Sequence, residues 1–217
     1  MVQVIGILGF KGSGKDTLGE YLVRQHGYTV ESFANPLKDL ISAVFGWDRA
    51  LLEGDTTDSR VWRETPDEWW ESKLDWANNQ GSYLGRFTPR VAMQFVGTDV
   101  LRGYFDDSIW IKSLEARIRD RDRVVVTDCR FPNECKMIKT LQGRVLRVKR
   151  GAEPRWYEVA KLASAGDQWA AEYMSNHFKD VHVSEWAWLS QDVPVLNNDG
   201  TIRDLYGKAE CLLFPHN

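Results

Sequence analysis

Cysteine is scarce: only Cys129, Cys135 and Cys211 occur in 217 residues. Their spacing builds no zinc site and no disulfide framework, so a reducing compartment is expected. An excess of charge is missing as well. A net charge of −3 gives no drive toward tight nonspecific binding of nucleic acid. Neither a long apolar run nor a charged-then-apolar leader is present, so a soluble cytoplasmic protein with no membrane partner is expected. Repeats and low-complexity tracts are also absent. By contrast, a hydrophobic content of 43% over this length buries a full core and reads as one domain. Ten tryptophans are many for such a chain, and most are expected to pack core or flap while several line a pocket for a flat ring.

The informative residues are concentrated at the start. VQVIGILGFKGSGKDT, residues 2–17, runs from an apolar stretch (Val4, Ile5, Ile7, Leu8) through Gly9-x4-Gly14-Lys15 into an amphipathic helix (Leu18, Tyr21, Leu22). Strand, glycine-spaced loop and helix together are the context of a phosphate-binding loop. Glycines let backbone N–H groups turn to phosphate oxygens with no side chain between, and the helix adds its positive N-terminal end. Lys15 is placed for the β- and γ-phosphates. The usual Ser or Thr after the lysine is replaced by Asp16, with Thr17 next. A carboxylate beside a triphosphate is repelled unless a cation intervenes, so Asp16 favours a Mg²⁺ complex, directly or through water. Its other reading is a favourable charge at a helix N-terminus. Thr17, about 100° further round the axis, suits a phosphate oxygen better than that metal position.

Strand and helix patterns alternate after the loop, which predicts an α/β fold with a mostly parallel central sheet flanked by helices. Asn35-Pro36 opens a helix with apolar Leu37, Leu40, Ile41 and Val44, and Thr88-Pro89 caps one containing Ala92, Phe95 and Val96. Between them, about 46–87 lacks a steady period and reads as an inserted flap or substrate-side subdomain. A helix is predicted over 108–119 and strands over 124–127, 143–148 and 193–196; Thr201 with Asp204 caps the last helix. Asp128 ends the first of these strands. In a parallel sheet it falls near the phosphate loop if the two strands are neighbours. It would serve as a Walker-B-like carboxylate, holding magnesium-bound water or orienting the attacking oxygen. Arg130 carries a planar fork suited to a transferring phosphoryl group, or else makes a local ion pair.

The order GFKGSGKDT, FANPLKD (33–39), PRVAMQFVGTD (89–99), IWIK (109–112), VVTDCRFPNE, HVSE (182–185) and NNDGTIRDL resembles the deoxynucleoside monophosphate kinases of tailed bacteriophages. That resemblance implies a P-loop kinase fold, ATP as donor, Mg²⁺, and a deoxynucleoside monophosphate (dNMP) as acceptor, in phage DNA precursor synthesis in the host cytoplasm. It is compatible with a homodimer. Residues 46–87 depart from the family pattern, so base preference is not carried over.

Position by position, the resemblance implies that Gly12, Ser13, Gly14, Lys15, Asp16 and Thr17 bind ATP, and that Lys11 lies toward the acceptor. Phe33, Leu37 and Lys38 match an acceptor-binding segment, with Lys38 meeting the acceptor phosphate. Arg90, Gln94, Gly97, Thr98 and Asp99 match a helix and turn that contact phosphate and base, and Trp110 and Arg130 match two further pocket positions. Residues of about 151–180 fit a lid, the core being about 1–45, 88–150 and 181–217. Arg150 and Arg155 are its candidate cations, whereas Lys161 reads better as solvated. In the insert, Trp62-Arg63-Glu64 offers a flat face, a cation and a carboxylate to a nucleotide, or packs the flap and its surface. Met93 is assigned to core and His182 to structure. Asp16 and Asp128 are the metal candidates. Lys15, Asp16, Asp128 and Arg130 form the catalytic set. Rival readings are a dephospho-coenzyme A or phosphomevalonate kinase and, from another class, a P-loop ATPase or nucleotide switch.

Overall fold

The computed structural model describes residues 2–215. Five strands, β1 (Gln3–Leu8), β2 (Thr29–Glu31), β3 (Arg123–Val126), β4 (Arg144–Lys149) and β5 (Val195–Asn197), form one sheet in the order β2-β3-β1-β4-β5. Every pairing is parallel, with Ile5 opposite Val125 on one side and Arg144 on the other. The expectation of a mostly parallel sheet thus holds, and β3 and β4 flank β1 directly. Short β2, whose pattern is too brief to read from sequence, was not foreseen.

Alternation along β1 explains the layers. Ile5 and Ile7 face a cluster with Leu18 and Leu22 of α1 (Lys15–His26) and Leu205, Ala209 and Leu213 of α10 (Ile202–Leu213). Gly6 faces the other way, where a Cβ would lie 2.5 Å from Ile138 Cδ1 of α7 (Pro132–Thr140). Helices therefore cover both faces of a sheet whose strands are almost continuously apolar. Leu18 and Leu22 are both fully buried, and truncating either to alanine would cost about 2–5 kcal/mol.

The chain packs as two compact units: one runs through Phe33 and from Leu114 onward, the other spans Ala34–Ser113. The first holds the sheet and a helical hairpin, α8 (Tyr157–Ser164) and α9 (Gln168–His177). The second has an aromatic core. Trp47, Trp76 and Phe87 are buried, and Phe45 stacks on Trp47 at 4.6 Å. Its helices α2 (Asn35–Phe45), α3 (Thr57–Glu64), α4 (Glu68–Lys73) and α5 (Pro89–Gln94) are mostly short, and ring contacts rather than a helical stripe hold them, which is why 46–87 shows no period.

The helix expected from Asn35-Pro36 is α2 itself, whereas the one expected to contain Phe95 and Val96 needs correction. In α2 only Leu37 and Ile41, one turn apart, are buried; Leu40 and Val44 are exposed on its flank. The helix opened by Thr88, whose hydroxyl accepts from Val91 N–H, changes at Phe95 into a π-helix over Phe95–Phe105, closing with Asp106 N–H donating to Leu101 O at 2.9 Å. Phe95 and Val96 therefore do not continue an α-helix. A further helix, α6 (Ile109–Ile118), leads back toward β3.

Candidate active site

The loop after β1 is shaped by positions where only glycine fits. Gly9 and Gly14 have φ of 144° and 102°, and a Cβ at Gly14 would lie 2.4 Å from Asn198 Nδ2. Asn198 is buried and its amide donates to Ser13 O at 2.8 Å, so the turn after β5 clamps the loop from behind. Ser13 N–H donates to Phe10 O at 3.1 Å, and Lys15 Nζ donates to the same carbonyl at 3.0 Å. Ser13 Oγ is buried without a hydrogen-bond partner. A cradle that excludes side chains, a buried unpartnered hydroxyl and a lysine folded back on its own loop fit an anion of several oxygens. A cavity of about 90 Å³ opens there, lined by Phe10, Lys11, Gly12, Ser13, Lys149 and Arg150 among others.

Burial lowers the pKa of Lys15; Asp16 opposes the shift, Arg130 adds to it, and Glu185 and Asp128 counter it. Asp16 adjoins the lysine in sequence, Asp128 and Arg130 come near it because β3 lies beside β1, and Glu185 comes with Arg130. Asp128 accepts from Ser32 Oγ at 2.6 Å and from Phe33 N–H at 3.0 Å, tying the end of β3 to the chain leaving β2. Phe33 itself is buried. Arg130 Nη1 donates to Glu185 Oε1 at 2.9 Å. Desolvation pulls its pKa down, but Glu185, Asp128 and Glu134 together outweigh it and the net shift is upward. Because the Arg130 side chain is 46% exposed, the pair is worth only about 0.2–1 kcal/mol to folding, so Glu185 orients Arg130 more than it stabilises the chain. Asp16 is exposed in the first turn of α1, beside half-buried Thr17. Arg150 is exposed, and Gly151 N–H donates to Asp199 Oδ1 at 2.7 Å. Arg155 lies over the Phe178 ring at 5.3 Å.

Three contributors escaped sequence reading. Glu134 is buried and accepts from Arg130 N–H at 2.7 Å and Phe131 N–H at 3.1 Å, fixing the turn that presents Arg130. An N3 glutamate after Pro132 was the available signal. Asn198, in the turn of NNDG, and Glu185, in the short 3₁₀ turn Val183–Glu185, gave no signal of their function. His182 Nδ1 meets Ser184 Oγ at 2.9 Å, the structural role expected of it.

In the other unit, several of the acceptor candidates lie together. Leu37 packs against Gly97, where a Cβ would lie 2.5 Å from Leu37 Cδ2, and Trp110 Nε1 donates to Gly97 O at 2.9 Å. Thr98 and Asp99 follow in the π-helix, with Asp99 accepting from Tyr83 Oη at 2.8 Å. Met93 is buried, as expected, and Gln94 is half-buried. The basic candidates are held by other groups. Lys38 Nζ meets Glu53 Oε2 at 2.6 Å, Arg90 lies 3.5 Å from Glu64, and Arg63 donates to Glu53 O at 2.9 Å. Trp62 sets its edge on Trp47 at 5.9 Å. Burial alone would raise the Glu53 carboxyl, but Lys38 and Arg49 outweigh it and hold it below the usual range.

Sequence comparison bears on this geometry. The deoxynucleotide monophosphate kinase profile matches residues 70–158. A protein of Acanthamoeba polyphaga mimivirus that carries the family's name is 32% identical over 161 residues, covering 68% of this chain and 74% of its own. The chain belongs to the deoxynucleotide monophosphate kinase family. Membership makes it a phosphotransferase with an ATP-type donor. It is also similar to two phage members: the deoxynucleoside-5'-monophosphate kinase of Escherichia phage T5 is 28% identical, over 64% of this chain and 72% of that one. The deoxynucleotide monophosphate kinase of Escherichia phage RB69 is 23% identical over 98% and 100%. The family profile spans Arg90, the GTD segment, Trp110, Asp128 and Arg130, some of the positions on which the sequence resemblance rested. No helix of the described residues is long and apolar enough to cross a membrane.

Proposed function

We propose that this family member transfers the γ-phosphoryl group of ATP to a dNMP, giving dNDP and ADP. The observation that carries the reading is the loop from Gly9 to Lys15, with its glycine-only turns, unpartnered Ser13 hydroxyl and inward-folded Lys15. Gly12 to Thr17 hold the phosphates through backbone N–H groups, and Arg150 lies along the same cavity. An oxygen of the acceptor phosphate attacks the γ-phosphorus in line as the bond to the β–γ bridging oxygen breaks, and ADP leaves with that oxygen. No covalent enzyme intermediate is required, because positioning and charge neutralisation dominate this chemistry. Lys15 and Arg130 spread the charge that develops. Mg²⁺, when bound with ATP, supplies further neutralisation at the phosphate oxygens. Asp16, exposed beside the cradle, would hold it directly or through water. Asp128, bonded to Ser32 and Phe33, would hold magnesium-bound water or orient the attacking oxygen.

On the acceptor side, Lys38 and Arg90 take the dNMP phosphate, which replaces Glu53 and Glu64 as their partner, while Gln94, Thr98, Asp99 and Trp110 surround base and sugar. Lys11, Trp62 and Arg63 complete this set. Deoxyribonucleotides are preferred over ribonucleotides. A coupled assay across dAMP, dGMP, dCMP and dTMP, with ribonucleotide controls, tests the reading. ATP turnover that rises only when a dNMP is added supports a kinase, and equal turnover without acceptor would make the chain an ATPase or switch. Lys38→Ala and Arg90→Ala should each raise the dNMP KM by about tenfold to a hundredfold and leave that of ATP nearly unchanged, as for one lost charge-assisted contact.

A further inference from the structure

Phe10, inside the phosphate loop, is enclosed by residues from far along the chain. Its ring meets Trp156 edge-on at 5.4 Å and Trp188 at 5.1 Å, and the Arg147 guanidinium lies over it at 5.5 Å. Arg147 also lies over the rings of Tyr157 and Trp188 at 5.1 and 5.2 Å, donates to both Glu153 oxygens at 2.7 Å and reaches Tyr157 Oη at 2.9 Å. It is 7% exposed, and its Nε–H is buried without a partner. A buried cation with one donor unsatisfied is a poor device for stability, since an apolar side chain of the same volume would fill the place without that cost. The arginine does something an apolar residue would not. It binds at once the loop (Phe10), the segment entering α8 (Glu153, Tyr157) and the Trp188 turn. It also lines both the loop cavity and a second cavity of about 240 Å³, whose wall includes Tyr157, Lys161 and Trp188.

We propose that Arg147 and Phe10 are positioning residues that couple the hairpin α8–α9 to the reach of Lys15. The link is the Phe10 carbonyl, which accepts from Lys15 Nζ and Ser13 N–H. While the ring is clamped, the carbonyl stays where it holds the ammonium at the floor of the cradle; a displaced α8 releases the ring and with it the lysine. The inference rests on the reading of Lys15 as the phosphate-binding cation.

Three variants test it: Phe10→Leu, Trp188→Leu, and Arg147→Met combined with Glu153→Gln, so that no buried carboxylate is left unpaired. Each is compared with the parent by melting, by steady-state kinetics, and by the rate of Lys15 acylation at one fixed pH, read by mass spectrometry. The expected result is a kcat lowered about tenfold or more with the dNMP KM unchanged, and a Lys15 acylated faster once it is released from the Phe10 carbonyl. Phe10→Tyr should keep the parent values of both. Folded variants with unchanged kcat and an unchanged rate of Lys15 acylation would overturn the coupling, as would a change confined to ATP KM. Lys15→Met, assayed in parallel, separates the two ideas: full activity there removes the phosphate-loop reading itself. The acylation rate still tests the clamp in that case.

Discussion

At the scale of single residues, Lys15 carries the most consequence. In a water-poor site the loss of a cation that meets the transition state is expected to lower turnover by roughly three orders of magnitude, so Lys15→Met should fold and melt normally yet be nearly inactive. Burial also lowers the pKa of this lysine from its ordinary 10.5. An ammonium is charged below its pKa, so a lowered value brings deprotonation in at lower pH. The alkaline limb of kcat/KM for ATP, which reports the free enzyme, is therefore expected to fall below pH 10.5. A Lys15→Arg variant with residual activity should lose that limb, because a guanidinium does not titrate there. Asp16→Ala should shift the Mg²⁺ titration and leave the dNMP KM alone. An unchanged titration would return Asp16 to a helix-terminus role.

At the scale of elements, the π-helix over Phe95–Phe105 is the least ordinary feature of the chain. Runs of this geometry are rare and favour functional positions, because the extra residue per turn re-aims side chains. Here it follows α5, carries Gly97, Thr98 and Asp99, and is pinned by Trp110 Nε1 on Gly97 O. Gly97→Ala must push the end of the Leu37 side chain aside. We expect about 1–3 kcal/mol lost in urea unfolding, together with a raised dNMP KM and an unchanged ATP KM. A stability loss with no kinetic change would make the segment a packing element only. The last helix offers a cleaner contrast. Thr201 accepts from Asp204 N–H at 3.2 Å while Asp204 accepts from Thr201 N–H at 2.8 Å, so Thr201→Ala should cost about 0.5–2 kcal/mol in the same measurement with kinetics untouched.

At the scale of the whole molecule, charge and burial decide more than any one contact. With a net charge of −3 and no marked excess of basic residues, the chain lacks the electrostatic drive that makes nucleic-acid binding tight. Phosphoryl transfer is expected to proceed unchanged in the presence of excess duplex DNA at about physiological salt, a case in which only a substrate-sized anion competes for the cradle. Two of the three cysteines are buried; desolvation raises the thiol of Cys129 and pushes that of Cys135 up to about 12, so both pack the core rather than react.

The sequence by itself determined the elements whose signals are local. Glycine spacing, apolar alternation and capping residues act within a few positions, so β1, the phosphate loop, α1, β3 with Asp128, and the caps at Thr88 and Thr201 could all be read along the chain. Family membership was also legible, because it lies in the order of motifs. The tertiary structure decided what depends on neighbours distant in sequence. Sheet order set β3 against β1 and so gathered Asp128, Arg130 and Glu185 around Lys15. Asn198 came to clamp Ser13 across 185 positions, and Arg147 came to close over Phe10. Residues 46–87 hid their helices because ring-on-ring packing obeys no period. That Leu40 and Val44 lie on the exposed flank of α2 was not legible either, because hydrophobicity alone does not say which flank of a helix finds a partner. Backbone chemistry is written residue by residue, whereas burial and charge are properties of the space that the folded chain encloses.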